Sequence, residues 1–220
     1  MTRNSTQVSA AILISGNGSN LQAFIDAVND GSLDLNIAVV VSNRPDAYGL
    51  LRARNAGITT ACVQDGDYAD RTAFDEALAD TLEVHEPNLV ILAGFMRILS
   101  AAFVKRFEGR ILNIHPALLP KYPGLNTHQR VIDAGEHWHG STVHFVTEEL
   151  DAGPRILQGR VPVLADDTVS RLSGRVQAVE HKIYPQAAAL FASGRLTFRA
   201  GESWLDGARL DEPVQYNGEF

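Results

Sequence analysis

Cysteine is almost missing from this chain: 220 residues hold one, Cys62. A lone thiol excludes an intramolecular disulfide and any cysteine-rich metal centre. Its setting, Thr59-Thr60-Ala61-Cys62-Val63, reads as a buried strand, and no basic partner that would activate a nucleophile is evident. Long apolar runs are missing too. The longest, residues 37–41 and 89–93, fall far short of the roughly 20 residues that a membrane-spanning helix needs. Positive charge is in deficit: 19 Lys and Arg stand against 26 Asp and Glu, a formal net charge of −7. That balance argues against broad, non-specific nucleic-acid binding, which needs a cationic surface, but not against one local anion site. The first ten residues are polar, without a cationic segment leading into an apolar one. No secretory signal is visible, and the cytoplasm is the expected compartment.

What is present is an alternating pattern. Residues 8–14, 35–41, 58–63, 89–93 and 111–115 are short apolar runs of strand type. Between them, residues 21–28, 47–55 and 68–84 have helical spacing, the last with Phe74, Leu78 and Leu82 four apart. Strands of Val, Ile and Leu alternating with helices predict an α/β fold, a doubly wound and mostly parallel sheet covered on both faces. In such a fold ligands sit beyond the strands' carboxyl ends. The second half differs. Residues 140–146 and 155–163 are strand-like around a turn-rich loop and predict an antiparallel extension of the sheet. Residues 168–191 are helical, with a kink or break expected near Pro185. Residues 195–199 and the Trp204 region suggest a terminal hairpin. No linker or repeat divides the chain. The expectation is one domain over residues 1–220, with a polar extension at 1–7 and fraying from about 211 to 220.

Asn113-Ile114-His115-Pro116 is the most informative stretch. On a strand, residues two apart project to one face. Pro116 and Pro120 then stop the strand and stiffen its exit. An amide donor beside a proton carrier suits a reaction in which a carbonyl oxygen gains negative charge while a proton moves. The bland alternative is a polar strand end with a hydrogen-bonded histidine. Asp151 lies in a turn set by Gly153 and Pro154; if it faced His115, it would favour the imidazolium. Otherwise it is a solvated loop carboxylate.

The first strand ends in Ser15-Gly16-Asn17-Gly18-Ser19-Asn20, directly before a helix. Glycine lets backbone approach a ligand, amides at a helix start attract phosphate, and Ser19 and Asn20 are good cap residues. Leu21 stands where the dinucleotide fingerprint needs glycine, so a nicotinamide cofactor is not expected but a single phosphate is. The run Leu92-Ala93-Gly94-Phe95-Met96-Arg97-Ile98-Leu99-Ser100 leads from a buried strand into an apolar loop. It fits either core packing or the wall of a flat heterocycle's pocket. Arg71 starts a helix, where a cation gains nothing from the dipole; it is solvated or binds a carboxylate. Gln177 and Glu180 share one face of the late helix. Thr142 and His144 are candidates for the site's outer wall, although His144 also reads as a satisfied core histidine. His137, His139 and His144 with Asp151 raise a metal reading, but their spacing lacks a diagnostic pattern and no metal is expected.

Taken together, these segments resemble the glycinamide ribonucleotide formyltransferase family of purine synthesis. The likeness runs from about Val8 to about Leu210, through 14–21, 92–100, 112–124, 140–146 and 149–154 in order. The resemblance implies formyl transfer from 10-formyltetrahydrofolate, as co-substrate, to the amine of glycinamide ribonucleotide. It implies Asn113, His115 and Asp151 as the catalytic trio. Gly18, Ser19 and Asn20 would bind the substrate phosphate, and Gln177 and Glu180 the sugar or amine side. Folate would meet Arg71, Met96, Arg97, Ile98, Leu99, Asn113, Thr147 and Asp151. The partners implied are small molecules, with no nucleic acid or membrane, for a monomer or homodimer. Departures are small: the polar extension, and Asn126 where histidine is more usual. Methionyl-tRNA formyltransferase and formyltetrahydrofolate deformylase share the chemistry but carry additional domains. A deformylase-like hydrolase and a non-catalytic phosphate- or nucleotide-binding module are the alternatives weighed.

Overall fold

A computed structural model describes residues 7 to 217. In chain order they form β1 (Ser9–Ile14), α1 (Ser19–Asn29), β2 (Asn36–Ser42), α2 (Tyr48–Asn55), β3 (Thr60–Cys62), α3 (Arg71–Glu83), β4 (Leu89–Leu92), α4 (Ala101–Arg106) and β5 (Ile111–His115). Then come α5 (Thr127–Asp133), β6 (Trp138–Phe145), β7 (Arg155–Pro162), α6 (Val169–Ala192), β8 (Leu196–Arg199), β9 (Glu202–Leu205), β10 (Ala208–Arg209) and β11 (Val214–Gln215).

One sheet runs in the order β11-β7-β6-β5-β4-β1-β2-β3. The five strands β3, β2, β1, β4 and β5 are parallel to one another. β6 lies antiparallel to β5, and β7 antiparallel to β6, so the predicted extension is there. β8, β9 and β10 make a separate antiparallel sheet. Both faces of the large sheet are buried. Ile12, Ile14, Leu112 and Ile114 pack with Leu21 and Phe24 of α1 and Ile183 and Tyr184 of α6. Ala11, Leu13, Val90 and Ile111 pack with Phe74 and Leu78 of α3 and Phe103 of α4. Period-two alternation therefore sends each strand's side chains to two different cores.

Four expectations differ from the structure. α6 runs unbroken through Pro185 to Ala192. Pro185 is buried beside Ile183, Tyr184, Ala187 and Ala188, and that packing outweighs the lost helical bond. Cys62 is exposed, because β3 is the edge strand and the residue ends it. Burial of part of the side chain and nearby Asp67 push its thiol pKa up, against a nucleophilic role. α4 and α5 escaped the periodicity, being only 6 and 7 residues long. Inside the stretch expected to fray, Val214–Gln215 pair with β7; residues 218–220 lie outside the described residues, as does most of the 1–7 extension.

β1 has β2 on one side and β4 on the other, and the loops leaving β1 and β4 part toward opposite faces. A crevice opens at such a switch point beyond the carboxyl ends. Ser15 bridges it: its hydroxyl donates to Asn43 Oδ1 at 2.6 Å and accepts from the Met96 amide at 2.7 Å.

Candidate active site

Asn113 and His115 face one side of β5, with His144 and Thr142 their cross-strand partners on β6. His144 Nδ1 meets the Phe145 carbonyl at 2.8 Å, so that nitrogen carries the hydrogen. Nε2 is then an acceptor, and Asn113 Nδ2 donates to it at 3.2 Å. Complete burial lowers the His144 pKa to about 4, against the opposing pull of the Phe145 carbonyl and Asp151. The ring is therefore neutral at pH 7, and its 3.9 Å approach to Asp151 Oδ1 is not an ion pair. One Asn113 N–H is held by His144, which fixes the amide plane and leaves the second N–H to point elsewhere.

His115 Nδ1 stands 3.3 Å from Asp151 Oδ2, with both side chains under 10 % exposed at 7 % and 6 %. Nε2 stands 2.9 Å from the Tyr122 carbonyl. Both ring nitrogens face oxygen acceptors, a pattern that the doubly protonated ring satisfies. The Asp151 backbone has φ 54, which aspartate tolerates, and Oδ2 also accepts from the Gly124 amide at 2.9 Å. Two residues on, a Cβ at Gly153 would lie 1.8 Å from the Phe145 carbonyl oxygen, so only glycine lets this loop fold back along β6. Asn113, His115 and Asp151 thus come together across 38 residues of sequence. Thr142 braces the exit of β5: its hydroxyl donates to the Ala117 carbonyl at 2.7 Å and accepts from the Leu119 amide at 3.1 Å.

On the other face, Gly18 is the N-cap of α1 with φ 74, and it makes no side-chain cap. The expected capping by Ser19 or Asn20 does not occur; both lie inside the first turn. The first helical bond runs from the Gln22 amide to the Gly18 carbonyl at 2.9 Å. The amides of Ser19, Asn20 and Leu21 have no intrahelical acceptor. Their side chains are tied to α6 instead. Gln177 Nε2 donates to Ser19 Oγ at 2.9 Å, and Asn20 Nδ2 donates to Glu180 Oε2 at 3.0 Å. Glu180 is buried, which raises its pKa despite the Asn20 and Ser141 contacts. Ser141 Oγ, 3.2 Å from Glu180 Oε1, reaches the His115 carbonyl at 2.8 Å. Ser141 therefore connects the two faces; β6 mixes Gly, Ser, Thr and His with its apolar residues, so nothing in residue type alone marks Ser141 out.

The apolar loop after β4 sits beside this centre. Met96 and Ile98 are exposed, Leu99 is buried against α3 and α4, and Leu150 of the β6–β7 loop is exposed. Arg97 points away to Asp65, 2.9 Å off, and lies over the Phe74 ring. Arg71 is exposed at the first position of α3, and Thr147 reaches only its own loop, at the Glu149 carbonyl. Neither touches the trio. The histidines of the metal reading do not converge: His139 pairs with His128 at 2.9 Å, while His144 serves Asn113. Among the described residues no group of three His, Cys, Asp or Glu is placed to hold a metal ion, and no helix is long and apolar enough to cross a membrane.

The fold is that of a doubly wound α/β enzyme, and an amide and a histidine–carboxylate pair stand at the crevice beyond its strands' carboxyl ends. The formyl transferase family model matches residues 8–188. The phosphoribosylglycinamide formyltransferase of Escherichia coli (strain K12) is 52 % identical over 199 residues, 90 % of this chain and 94 % of that protein. The human trifunctional purine biosynthetic protein adenosine-3 is 48 % identical over 193 residues, 88 % of this chain but 19 % of that protein. The solved phosphoribosylglycinamide formyltransferase of Coxiella burnetii superposes with a TM-score of 0.91 at 48 % identity, covering 95 % of this chain and 99 % of that one. The chain belongs to the formyl transferase family.

Proposed function

We propose that the chain transfers a formyl group from 10-formyltetrahydrofolate to the primary amine of glycinamide ribonucleotide, in purine biosynthesis. The acceptor is supported by near full-length likeness to phosphoribosylglycinamide formyltransferases, at 94 % of the length of both the Escherichia coli and the Haemophilus influenzae proteins. The observation that carries the chemistry is the convergence of Asn113, His115 and Asp151 at one point.

The amine attacks the formyl carbon, a C–N bond forms, and the carbonyl oxygen becomes an oxyanion. The second N–H of Asn113, oriented by neutral His144, donates to that oxygen. His115, doubly protonated between Asp151 and the Tyr122 carbonyl, supplies positive charge. As the bond to N10 breaks, Nε2 exchanges the Tyr122 carbonyl for N10 and delivers a proton to it. Asp151 holds the imidazolium and receives, through solvent, the proton that the former amine must lose. The attacking nitrogen is the substrate's own, so no enzyme nucleophile is required, and much of the acceleration comes from aligning two bound molecules. The free amides of Ser19, Asn20 and Leu21 receive the phosphate. Met96, Ile98 and Leu150 cover the pteridine and its linker.

Mixing the chain with 10-formyltetrahydrofolate and the ribonucleotide should deformylate the folate, followed by its absorbance, at a rate set by ribonucleotide concentration. Equal rates with water alone would assign hydrolysis instead, and no change in either sample would leave only a binding module.

A further inference from the structure

Arg52 is the charged side chain most closely built into the α1 entry loop. It lies in the last turn of α2, where the helix dipole favours a cation. From there it reaches back to donate to the Asn17 carbonyl at 2.9 Å, to Asn17 Oδ1 at 3.0 Å and to Gln22 Oε1 at 3.1 Å. Its stem passes the Gly18 position, with Cδ 3.7 Å from where a Cβ would be. The Tyr48 ring lies under the guanidinium, 4.9 Å from its carbon. α2 is itself fastened to the loop: the Gly49 amide donates to the Gly16 carbonyl at 3.0 Å, and a Cβ on Gly18 would approach Gly49 Cα to 2.7 Å. The arginine is thus half-buried and held by contacts along its whole length.

All three of its oxygen partners are neutral. Arg97 and Arg195, by contrast, meet the carboxylates of Asp65 and Asp206, whereas Arg110 and Arg130 meet only carbonyls, away from the α1 entry loop. The first turn of α1 carries no acidic residue to neutralise Arg52. A full positive charge therefore stands next to the residues Gly18, Ser19 and Asn20, on a protein whose net charge is −7. A dianionic phosphate approaching that protein meets repulsion at long range. Helix amides supply only about half an elementary charge. A guanidinium whose hydrogen bonds leave its charge uncancelled supplies the rest.

Resting on the phosphate reading above, we propose that Arg52 is the positioning and charge-setting residue of the phosphate subsite: it shapes the Asn17–Gln22 turn and selects a phosphorylated acceptor over its neutral ribonucleoside. It does so through the loop rather than by touching the reacting atoms.

The test compares kcat/KM for the ribonucleotide with that for the dephosphorylated ribonucleoside, in the full chain. R52Q retains a donor for Asn17 but no charge; R52K retains the charge but not the fork. The wild type should prefer the ribonucleotide, and R52Q should shrink that preference about 10- to 100-fold, mainly through ribonucleotide KM. R52K should restore most of it, kcat and folate KM should stay within a few fold, and raised salt should narrow the gap between wild type and R52Q. A preference unchanged in R52Q, with both acceptors slowed together, would overturn the proposal, because a merely structural arginine acts on both alike. R52K behaving like R52Q would overturn it as well, and decides the matter if R52Q does not fold. No preference in the wild type would instead remove the phosphate reading itself.

Discussion

The two sides of the crevice are built in opposite ways. On the α1–α6 side, polar groups are already bonded to one another: Gln177 to Ser19, Asn20 to Glu180, and Arg52 to Asn17. On the α3–α4 side, large apolar groups stand open, with Met96 72 %, Ile98 58 % and Leu150 54 % exposed. A polar subsite has to be prebuilt, because an ion gives up strong hydration only for donors already in place. An apolar subsite gains from what covers it, so its side chains wait in water. Between the two lies β5, whose Asn113 and His115 project to the α3–α4 side while the His115 carbonyl is held by Ser141 from the other.

If the centre belongs to neither side, removing it should reduce turnover without loosening either substrate. His115→Ala should lower kcat by about 10²–10⁴-fold while both KM values change little. Steady-state kinetics at saturating folate checks this; near-normal turnover would remove the proton-transfer role. Asn113→Ala should cost about 10²–10³-fold in kcat, the usual effect of losing one oxyanion donor. A KM effect confined to folate would instead make Asn113 a binding residue only.

The two sides should then separate by substrate. Gly18→Val puts a Cβ 2.7 Å from Gly49 Cα at φ +74, so the loop must move. It should raise the ribonucleotide KM by about tenfold or more, from roughly 1–2 kcal/mol of left-handed strain added to the clash, with folate KM near wild type. Met96→Ala should do the converse, raising folate KM by several fold, since about 1 kcal/mol of apolar contact is lost. Measuring both KM values for both variants is decisive: crossed effects would mean the sides are assigned the wrong way round.

The alternating elements of the large sheet were legible because Val, Ile and Leu runs between amphipathic helices leave few alternatives. The common face of Asn113 and His115 was legible for another reason. Asn113 and His115 are two apart on a strand, so their common face follows from the pleat. Asp151 required the family likeness, because nothing local says that its loop folds back until Gly153 is seen against the Phe145 carbonyl. The Asn113–His144 bond depends on cross-strand register, which an isolated strand does not state. Arg52 and Ser141 were illegible: one is an ordinary helix-end arginine and the other a small strand residue until α2 and α6 are docked. Cys62 misread because an apolar run does not say which strand becomes the edge.

The subtlest difference between the sides is in their protons. Burial raises the Glu180 pKa, and Ser141 Oγ faces two acceptors, the His115 carbonyl and Glu180 Oε1; one hydroxyl hydrogen cannot serve both oxygens at full strength. A carboxyl whose folded pKa is raised gives its full stability below its unfolded pKa of about 4.3 and loses it as pH rises through the folded value. Buried His144 and His139, each lowered to about 4, act with the opposite sign: their contribution is full above about 6.5 and falls as pH drops toward 4. Their effect is common to wild type and Glu180→Gln and cancels in the difference. Glutamine mimics the protonated acid, accepting from Asn20 and donating to Ser141. The melting temperature of Glu180→Gln minus that of wild type should therefore grow as pH rises from 4 toward neutrality. A flat difference would mean that the carboxylate ionises at no cost, and that the polar side is not sealed as tightly as its contacts indicate.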